Sequence, residues 1–133
     1  MKTKVIVISI LTIVVLVGGI ILLSMGNNGS SVKNPQVAGN VSMVDGKQII
    51  TINAKGGYLP KATTAKAGVP TVITMKTRGT FDCSSALNIP SLGISKNLPP
   101  SGETSIDVPP QIAGTVLSGV CSMGMYSFAI NFN

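Results

Sequence analysis

The chain has 133 residues and a formal net charge of +6, and only 11% of its residues are charged. It contains no histidine, no tryptophan and two cysteines. The lysines and the one arginine are scattered, without a basic run interleaved with aromatic residues, so the sequence gives no support for nucleic-acid binding. The acidic residues are also scattered, and no base, nucleophile or acid pair suited to catalysis is present. We therefore predict a protein that is not an enzyme.

The N-terminal segment, residues 1–26, is strongly apolar. No charged residue occurs from Val5 to Leu23, and at about 1.5 Å per residue a helix of this length spans most of a hydrocarbon core of roughly 30 Å. Lys2 and Lys4 precede the run, which predicts a cytoplasmic N-terminus. We predict a single-pass membrane anchor or an uncleaved signal, with the following domain on the extracytoplasmic side of the cell membrane. A cleaved signal peptide is the alternative, although its apolar region is usually shorter.

The rest of the chain divides into a linker and a β domain. Residues 27–40 are rich in glycine, asparagine and serine, which predicts a flexible linker. Residues 41–133 contain short alternating segments and frequent glycine or proline, with no apolar period of 3.6. Asp45 and Gly46 separate two such segments and predict a hairpin turn. Further strand candidates are "KQIITIN", "VITM", "TSIDVPP", "GTVLSGVC" and "YSFAINF". We predict an all-β domain with an antiparallel Greek-key β-sandwich.

The segment "CSMGM" concentrates three sulfur side chains, those of Cys121, Met123 and Met125. On a strand they would share one face, whereas a bend at Gly124 would let them converge. Cys83 lies in a second loop-like segment, "RGTFDCSSALNIP". Thiolate and thioether ligands select Cu(I), while zinc usually takes four cysteine or histidine ligands. The sequence therefore predicts a copper site with Cys83 and Cys121 as thiolate ligands and one or both of Met123 and Met125 as thioether ligands.

Other interpretations of the same residues stay open. In an extracytoplasmic domain, Cys83 and Cys121 are also expected to form a structural disulfide. That bond would stabilise the fold by about 3–4 kcal/mol in the chain-entropy model. The methionines could be core residues, as we expect for Met43 and Met75. Asp82, next to Cys83, could add an oxygen ligand, although a solvated turn carboxylate is the expected role.

Two long stretches of the chain resemble a known family. They are "GGYLPKATTAKAGVPTVITM" and, after the next cysteine, "GISKNLPPSGETSIDVPPQIAGTVLSGVCSMGMY". Together with the closing strand they resemble cupredoxin-like domains, in particular the EfeO-type family, which is also found fused to copper-transporting ATPases. The likeness covers roughly residues 48–133. It implies a Greek-key sandwich with a metal site at one end, where Cys83 supplies the first ligand and the "CSMGM" loop supplies the others.

The missing histidines separate this sequence from the blue-copper electron carriers of the cupredoxin superfamily. Those proteins bind copper through two histidines, a cysteine and a weak axial methionine, and this chain has no histidine. This departure favours a Cu(I)-binding or a redox-thiol variant of the family. We predict Cu(I) binding for metal capture or transfer, with a copper transporter or another envelope protein as partner. Two alternatives stay open: an interaction module stapled by the Cys83–Cys121 disulfide, and an electron-transfer module.

Overall fold

The computed structural model describes residues 39–133, and these residues form two β-sheets that share one core. In this part of the chain the strands are β1 (Val41–Val44), β2 (Lys47–Ala54), β3 (Tyr58–Leu59), β4 (Ala62–Ala65), β5 (Thr71–Arg78), β6 (Ala86–Ile89), β7 (Ile94–Asn97), β8 (Ser101–Val108), β9 (Val116–Cys121) and β10 (Ser127–Phe132). The first sheet has the order β1-β2-β5-β8, with β3 added to β2, and the second has the order β4-β10-β9-β6-β7. The predicted all-β sandwich is confirmed.

The predicted membrane anchor, residues 1–26, lies outside the described residues, and so does most of the predicted linker, residues 27–40. Within residues 39–133, no helix has the length and the apolar character that crossing a membrane requires. The anchor, its orientation and the extracytoplasmic location of the domain therefore stay predictions.

The first hairpin follows directly from its turn residues. Val44 and Lys47 are register partners, so the loop consists of Asp45 and Gly46 alone. Both residues have a positive φ, 49° for Asp45 and 76° for Gly46. A two-residue loop with this backbone matches the twist of the strands on either side, and aspartate followed by glycine is the pair that tolerates it best. The predicted hairpin is confirmed.

The strand pairing is mixed, whereas the sequence led us to expect an antiparallel sandwich. β2 pairs with β5 in parallel, and β4 pairs with β10 in parallel. The first parallel pair arises because the chain leaves the first sheet after β3, adds β4 to the second sheet and returns as β5 beside β2. Apolar alternation shows which residues face the core but does not show in which direction the next strand runs.

The core consists of the inward-facing residues of both sheets. Buried aliphatic and aromatic side chains alternate along the strands, as at Phe128, Ile130 and Phe132 on β10. Met75 is fully buried in this core, as predicted. Met43 is not, because β1 is an edge strand whose residues mostly face solvent; the side chain is 48% exposed, so its prediction as a core residue was wrong.

An aromatic pair joins the two sheets near one end of the sandwich. Tyr58 on β3 and Phe128 on β10 meet edge to face, with ring centroids 5.3 Å apart and an interplanar angle of 81°. Phe128 also lies over Gly119, its cross-strand partner on β9, so closely that a Cβ atom at that position would overlap the ring. The glycine therefore makes room for the ring that connects the sheets.

Replacing Gly119 by alanine should destabilise the domain. The added methyl group forces the Phe128 ring or the β9 backbone to move, and overpacking of this kind typically costs about 1–3 kcal/mol. Gly39→Ala is the matched control, because nothing lies within 4 Å of a Cβ atom built there. Urea unfolding of the two variants measures the difference, and equal unfolding midpoints would show that Phe128 does not need the space above Gly119.

Candidate metal centre

Three connecting segments meet at one end of the sandwich, which we call the site end. They are residues 55–57 after β2, residues 79–85 between β5 and β6, and residues 122–126 between β9 and β10. The strand directions bring them together, because β2, β5 and β9 end there while β6 and β10 begin there. All four metal ligands predicted from the sequence lie in these segments or at the adjoining strand end.

The two cysteines are neighbours at the site end. Cys121 is the last residue of β9, where it is the register partner of Leu87 on β6, and it is almost completely buried. A 3₁₀ turn, Cys83–Ser85, precedes β6 and carries Cys83 back over the end of β9. The Cα atoms of Cys83 and Cys121 are 5.8 Å apart, and the two residues form a disulfide. The proximity that both sequence-based interpretations require is therefore present.

Asp82 fixes the segment that carries Cys83. Its Oδ1 atom accepts hydrogen bonds from the Ser84 backbone N–H at 2.8 Å and from the Ser84 hydroxyl at 2.5 Å. Its Oδ2 atom accepts a hydrogen bond from the Gly56 N–H at 2.9 Å, which connects the Cys83 segment to the turn after β2. These bonds, the Ser84 hydroxyl first, lower the pKa of Asp82 below its ordinary value. The carboxylate is thus an N-cap and a loop connector.

The predicted role of Asp82 as a solvated turn residue missed these contacts. Aspartate is a preferred N-cap residue, and its carboxylate then accepts from a backbone N–H two or three residues later. This preference could have indicated the bond to the Ser84 N–H. The bond to Gly56 could not have been found in this way, because that residue is 26 positions away in the chain.

The methionines lie in a tight loop and not on a continuous strand. The Gly124 N–H donates to the Cys121 carbonyl at 2.8 Å, and Gly124 has a φ of 70°, which suits glycine at the end of a type I turn. The Cys121 N–H donates to the Tyr126 carbonyl at 2.9 Å and closes the hairpin. Met123 and Met125 are 74% and 62% exposed. Of the two arrangements that the sequence allowed, the bent loop is therefore the one that forms.

The backbone of this loop also contacts the buried cysteine. The Tyr126 N–H points at the Cys121 Sγ atom, with a nitrogen–sulfur distance of 3.4 Å. The Tyr126 ring packs beside Gly57, where a Cβ atom would lie 3.5 Å from it. An N–H group directed at sulfur stabilises negative charge on it, and such contacts tune metal-bound thiolates.

The Tyr58 side chain is buried in the core next to these segments. Burial is the main reason that the pKa of Tyr58 rises to about 12, and the negative charge of Asp82 adds to the effect. The Tyr58 hydroxyl is buried and has no hydrogen-bond partner among the described residues. Tyr58 therefore stays neutral at physiological pH and contributes an apolar ring contact with Phe128.

The donor atoms at the site end are soft. Within residues 39–133, no cluster of three or more His, Cys, Asp or Glu side chains could hold a metal ion. Any further side-chain ligand to a metal held by the cysteine pair would therefore be of another kind, and the adjacent loop offers the thioethers of Met123 and Met125. Two thiolates with thioethers suit Cu(I). In the disulfide state neither cysteine is a thiolate, so this donor set exists only after reduction.

The two-sheet fold is that of a cupredoxin-like β-sandwich. A family model described as the cupredoxin-like domain matches residues 14–129, and the chain belongs to this family. Among curated proteins, no sequence matches the chain.

Two solved structures of copper proteins are similar to this domain. One is the metal-binding domain of the Cu(I)-exporting P-type ATPase CopA from Streptococcus pneumoniae D39, determined with Cu(I). It has a TM-score of 0.62 and 26% identity, over 70% of this chain and 92% of that chain. The other is a copper-binding protein determined in the apo form by NMR, with a TM-score of 0.63 and 26% identity, over 70% of this chain and 94% of that chain.

We predict that Asp82→Asn loosens the segment that carries Cys83. The neutral amide accepts weaker hydrogen bonds than the carboxylate does. The Gly56 and Ser84 amides should therefore exchange with solvent faster than in the unmodified chain, as measured by NMR-detected hydrogen exchange. Asp107→Asn is the control, because Asp107 is exposed on β8 beside Val72, near the other end of the sandwich.

The same variant should change how stability depends on pH. The pKa of Asp82 is lowered in the folded state, so the stability it adds is present above its ordinary pKa and is lost as the pH falls through the lowered value. The difference in urea midpoint between the unmodified chain and Asp82→Asn should therefore shrink on acidification. A difference that stays constant down to strongly acidic pH would contradict this role.

Proposed function

We propose that this domain binds Cu(I) when Cys83 and Cys121 are reduced, and that it captures the ion for transfer to or from another envelope protein. The proposal rests mainly on one observation. Cys83 and Cys121 are neighbours next to the β9–β10 loop, in which Met123 and Met125 are exposed to solvent. The likeness to a CopA metal-binding domain determined with Cu(I) supports the same conclusion.

The four sulfur side chains have different parts in this site. The thiolates of Cys83 and Cys121 supply negative charge and the strongest bonds, and copper bound there is soft and exchangeable. Cys121 is buried at a strand end, so the sheet fixes its position. Met123 and Met125 are on the solvent side of the loop, where thioethers can meet an arriving ion before the thiolates do. The Tyr126 N–H stabilises negative charge on the Cys121 sulfur.

The proposal also includes the membrane attachment of the domain, its partner and its subfamily. Residues 1–26 would hold it at the cell membrane with the site end on the extracytoplasmic side, and a copper transporter is the partner that best suits such a domain. We place the chain in the EfeO-type group of the cupredoxin-like family on the motifs "GGYLP", "KAGVP" and "CSMGM". The apolar run and the family resemblance support these points.

The copper proposal is tested by competition for Cu(I). The reduced full chain, kept anaerobic, should withdraw Cu(I) from a chromophoric chelator. Cys121→Ser should abolish this competition, because it removes a thiolate ligand. Met125→Leu should weaken it by about tenfold, since even outer contacts to a metal site affect affinity on that scale.

Matched controls separate ligand loss from general damage. Ser122→Ala changes the same loop without removing sulfur, and Met43→Leu changes an exposed methionine on β1; both should compete as the unmodified chain does. The proposal fails if the reduced, unmodified chain cannot compete with the chelator at all.

The disulfide itself favours a second candidate function, an interaction module stapled by Cys83 and Cys121. In that case the bond contributes about 3–4 kcal/mol to stability in the chain-entropy model, and the exposed loop serves only as a contact surface. A count of free thiols on protein isolated from cells shows which redox state is present there.

Oxidation state should decide copper binding. The disulfide ties up both thiolates, so the oxidised chain should not compete for Cu(I), and reduction should restore competition. The measurement is the chelator assay on the same preparation before and after reduction, with thiols counted in parallel. Equal competition in both states would show that the cysteines are not ligands, and no competition in either state would favour the stapled module.

A further inference from the structure

The charged side chains are divided unevenly between the two ends of the sandwich. We call the end that contains the β1–β2 turn, the start of β5 and the end of β10 the far end. Among residues 39–133, the far end carries two cations and two anions, Lys47, Lys66, Asp45 and Asp107. The site end carries five cations, Lys55, Lys61, Lys76, Arg78 and Lys96, and two anions, Asp82 and Glu103. The net positive charge of the described residues therefore lies at the site end.

Most of that positive charge is not compensated locally. Lys76 and Glu103 form an ion pair at 3.0 Å and neutralise each other. Both oxygens of Asp82 accept hydrogen bonds from Gly56 and Ser84. Four exposed cations therefore have no carboxylate partner among the described residues: Lys55, Lys61, Arg78 and Lys96. Charges of one sign on one face attract an oppositely charged partner and speed its approach.

The same end has a concave surface whose lining includes apolar side chains. A groove of about 230 Å³ lies between Leu59 and the hairpin loop, where Met125 and Tyr126 line it and Lys61 contributes a charge. Leu59 is 58% exposed. A second depression of about 520 Å³ lies nearby, and Lys55 is among its lining residues. The site end thus combines a groove that is partly lined by apolar side chains with uncompensated cations.

Apolar exposure alone does not distinguish the two ends. At the far end Ile112 is 81% exposed and Val116 is also exposed, but the charges there balance. A partner that needs both features would therefore choose the site end, and the far end provides matched control residues of the same chemical types.

We propose that the site end docks an acidic protein surface that presents a protruding apolar side chain. The side chain enters the groove between Leu59 and Met125, while carboxylates around it pair with Lys61, Lys55 and Arg78. A protein supplies such a protrusion, whereas an anionic lipid surface offers no side chain to fill a groove. The proposal rests on the proposed copper function for its purpose, since the docked partner lies against the loop that would exchange the ion.

The test uses a synthetic peptide in which glutamates flank a central pair of leucines. The isotope-labelled full chain, copper-free and with its disulfide intact, is titrated with this peptide and followed by NMR. Amide shifts should occur at Gly56, Lys61 and Tyr126, and salt should weaken binding because the charges are exposed. Lys61→Glu and Arg78→Glu should each weaken binding by about threefold.

Matched variants provide the comparison. Lys47→Glu and Lys66→Glu reverse far-end charges and should leave peptide affinity unchanged. Leu59→Ser should weaken binding because it removes an apolar wall of the groove, whereas Ile112→Ser removes an even more exposed far-end side chain and should have no effect. Equal effects at both ends would overturn the proposal.

Two further outcomes would also overturn it. The first is equal binding of a peptide in which lysines replace the glutamates. The second is binding of phosphatidylglycerol vesicles through the same amides without any binding of the acidic peptide, which would identify a lipid surface instead.

The docking proposal and the copper proposal can fail separately. The peptide titration contains no copper, and Lys61→Glu should compete for Cu(I) as the unmodified chain does. Loss of copper binding with intact peptide binding would leave the docking surface in place, and the reverse result would remove the surface and leave the metal site.

Discussion

The contact between Tyr58 and Phe128 is the constraint on which the site end depends. It is the edge-to-face pair that connects the two sheets directly beneath the loops. Phe128 can reach Tyr58 only because Gly119 leaves room for its ring on the neighbouring strand. Above this pair, Gly57 next to Tyr58 lies against the ring of Tyr126, so the turn after β2 and the hairpin loop are held side by side. The positions of the turn after β2 and of the hairpin loop are therefore determined by packing contacts in and next to the core.

In the proposed copper site, the sulfur side chains would have two different mechanical roles. Cys121 is buried at the end of a paired strand, so it loses little further freedom when it binds a ligand. Met123 and Met125 project from a five-residue connection into solvent, where side chains change rotamer quickly. A fixed donor holds an ion in place, while mobile donors can exchange it without disturbing the fold. If these side chains bind copper as proposed, this division would suit capture and release better than permanent storage of a metal.

The sequence predicted those features that depend on neighbouring residues. The Asp45-Gly46 hairpin, the alternation along β10 and the bend at Gly124 all follow from local backbone and side-chain preferences. The parallel pairing of β2 with β5 was missed, because periodicity carries no information about strand direction. Met43 was misplaced because an edge strand cannot be recognised from composition alone. The contact of Asp82 with Gly56 was equally hidden, since it depends on where two distant loops meet.

In the proposed copper site, the disulfide and a copper ion would compete for the same two sulfur atoms. The proximity of the cysteines, however, does not depend on the disulfide alone. The pairing of β6 with β9 fixes Cys121, and the Ser122 N–H bond to the Ala86 carbonyl at 2.9 Å extends that pairing beyond it. Asp82 independently fixes the turn that carries Cys83. Because hydrogen bonds and strand pairing hold both segments, reduction would leave two thiolates already close together. Preorganisation of this kind lowers the conformational cost of binding an ion between them.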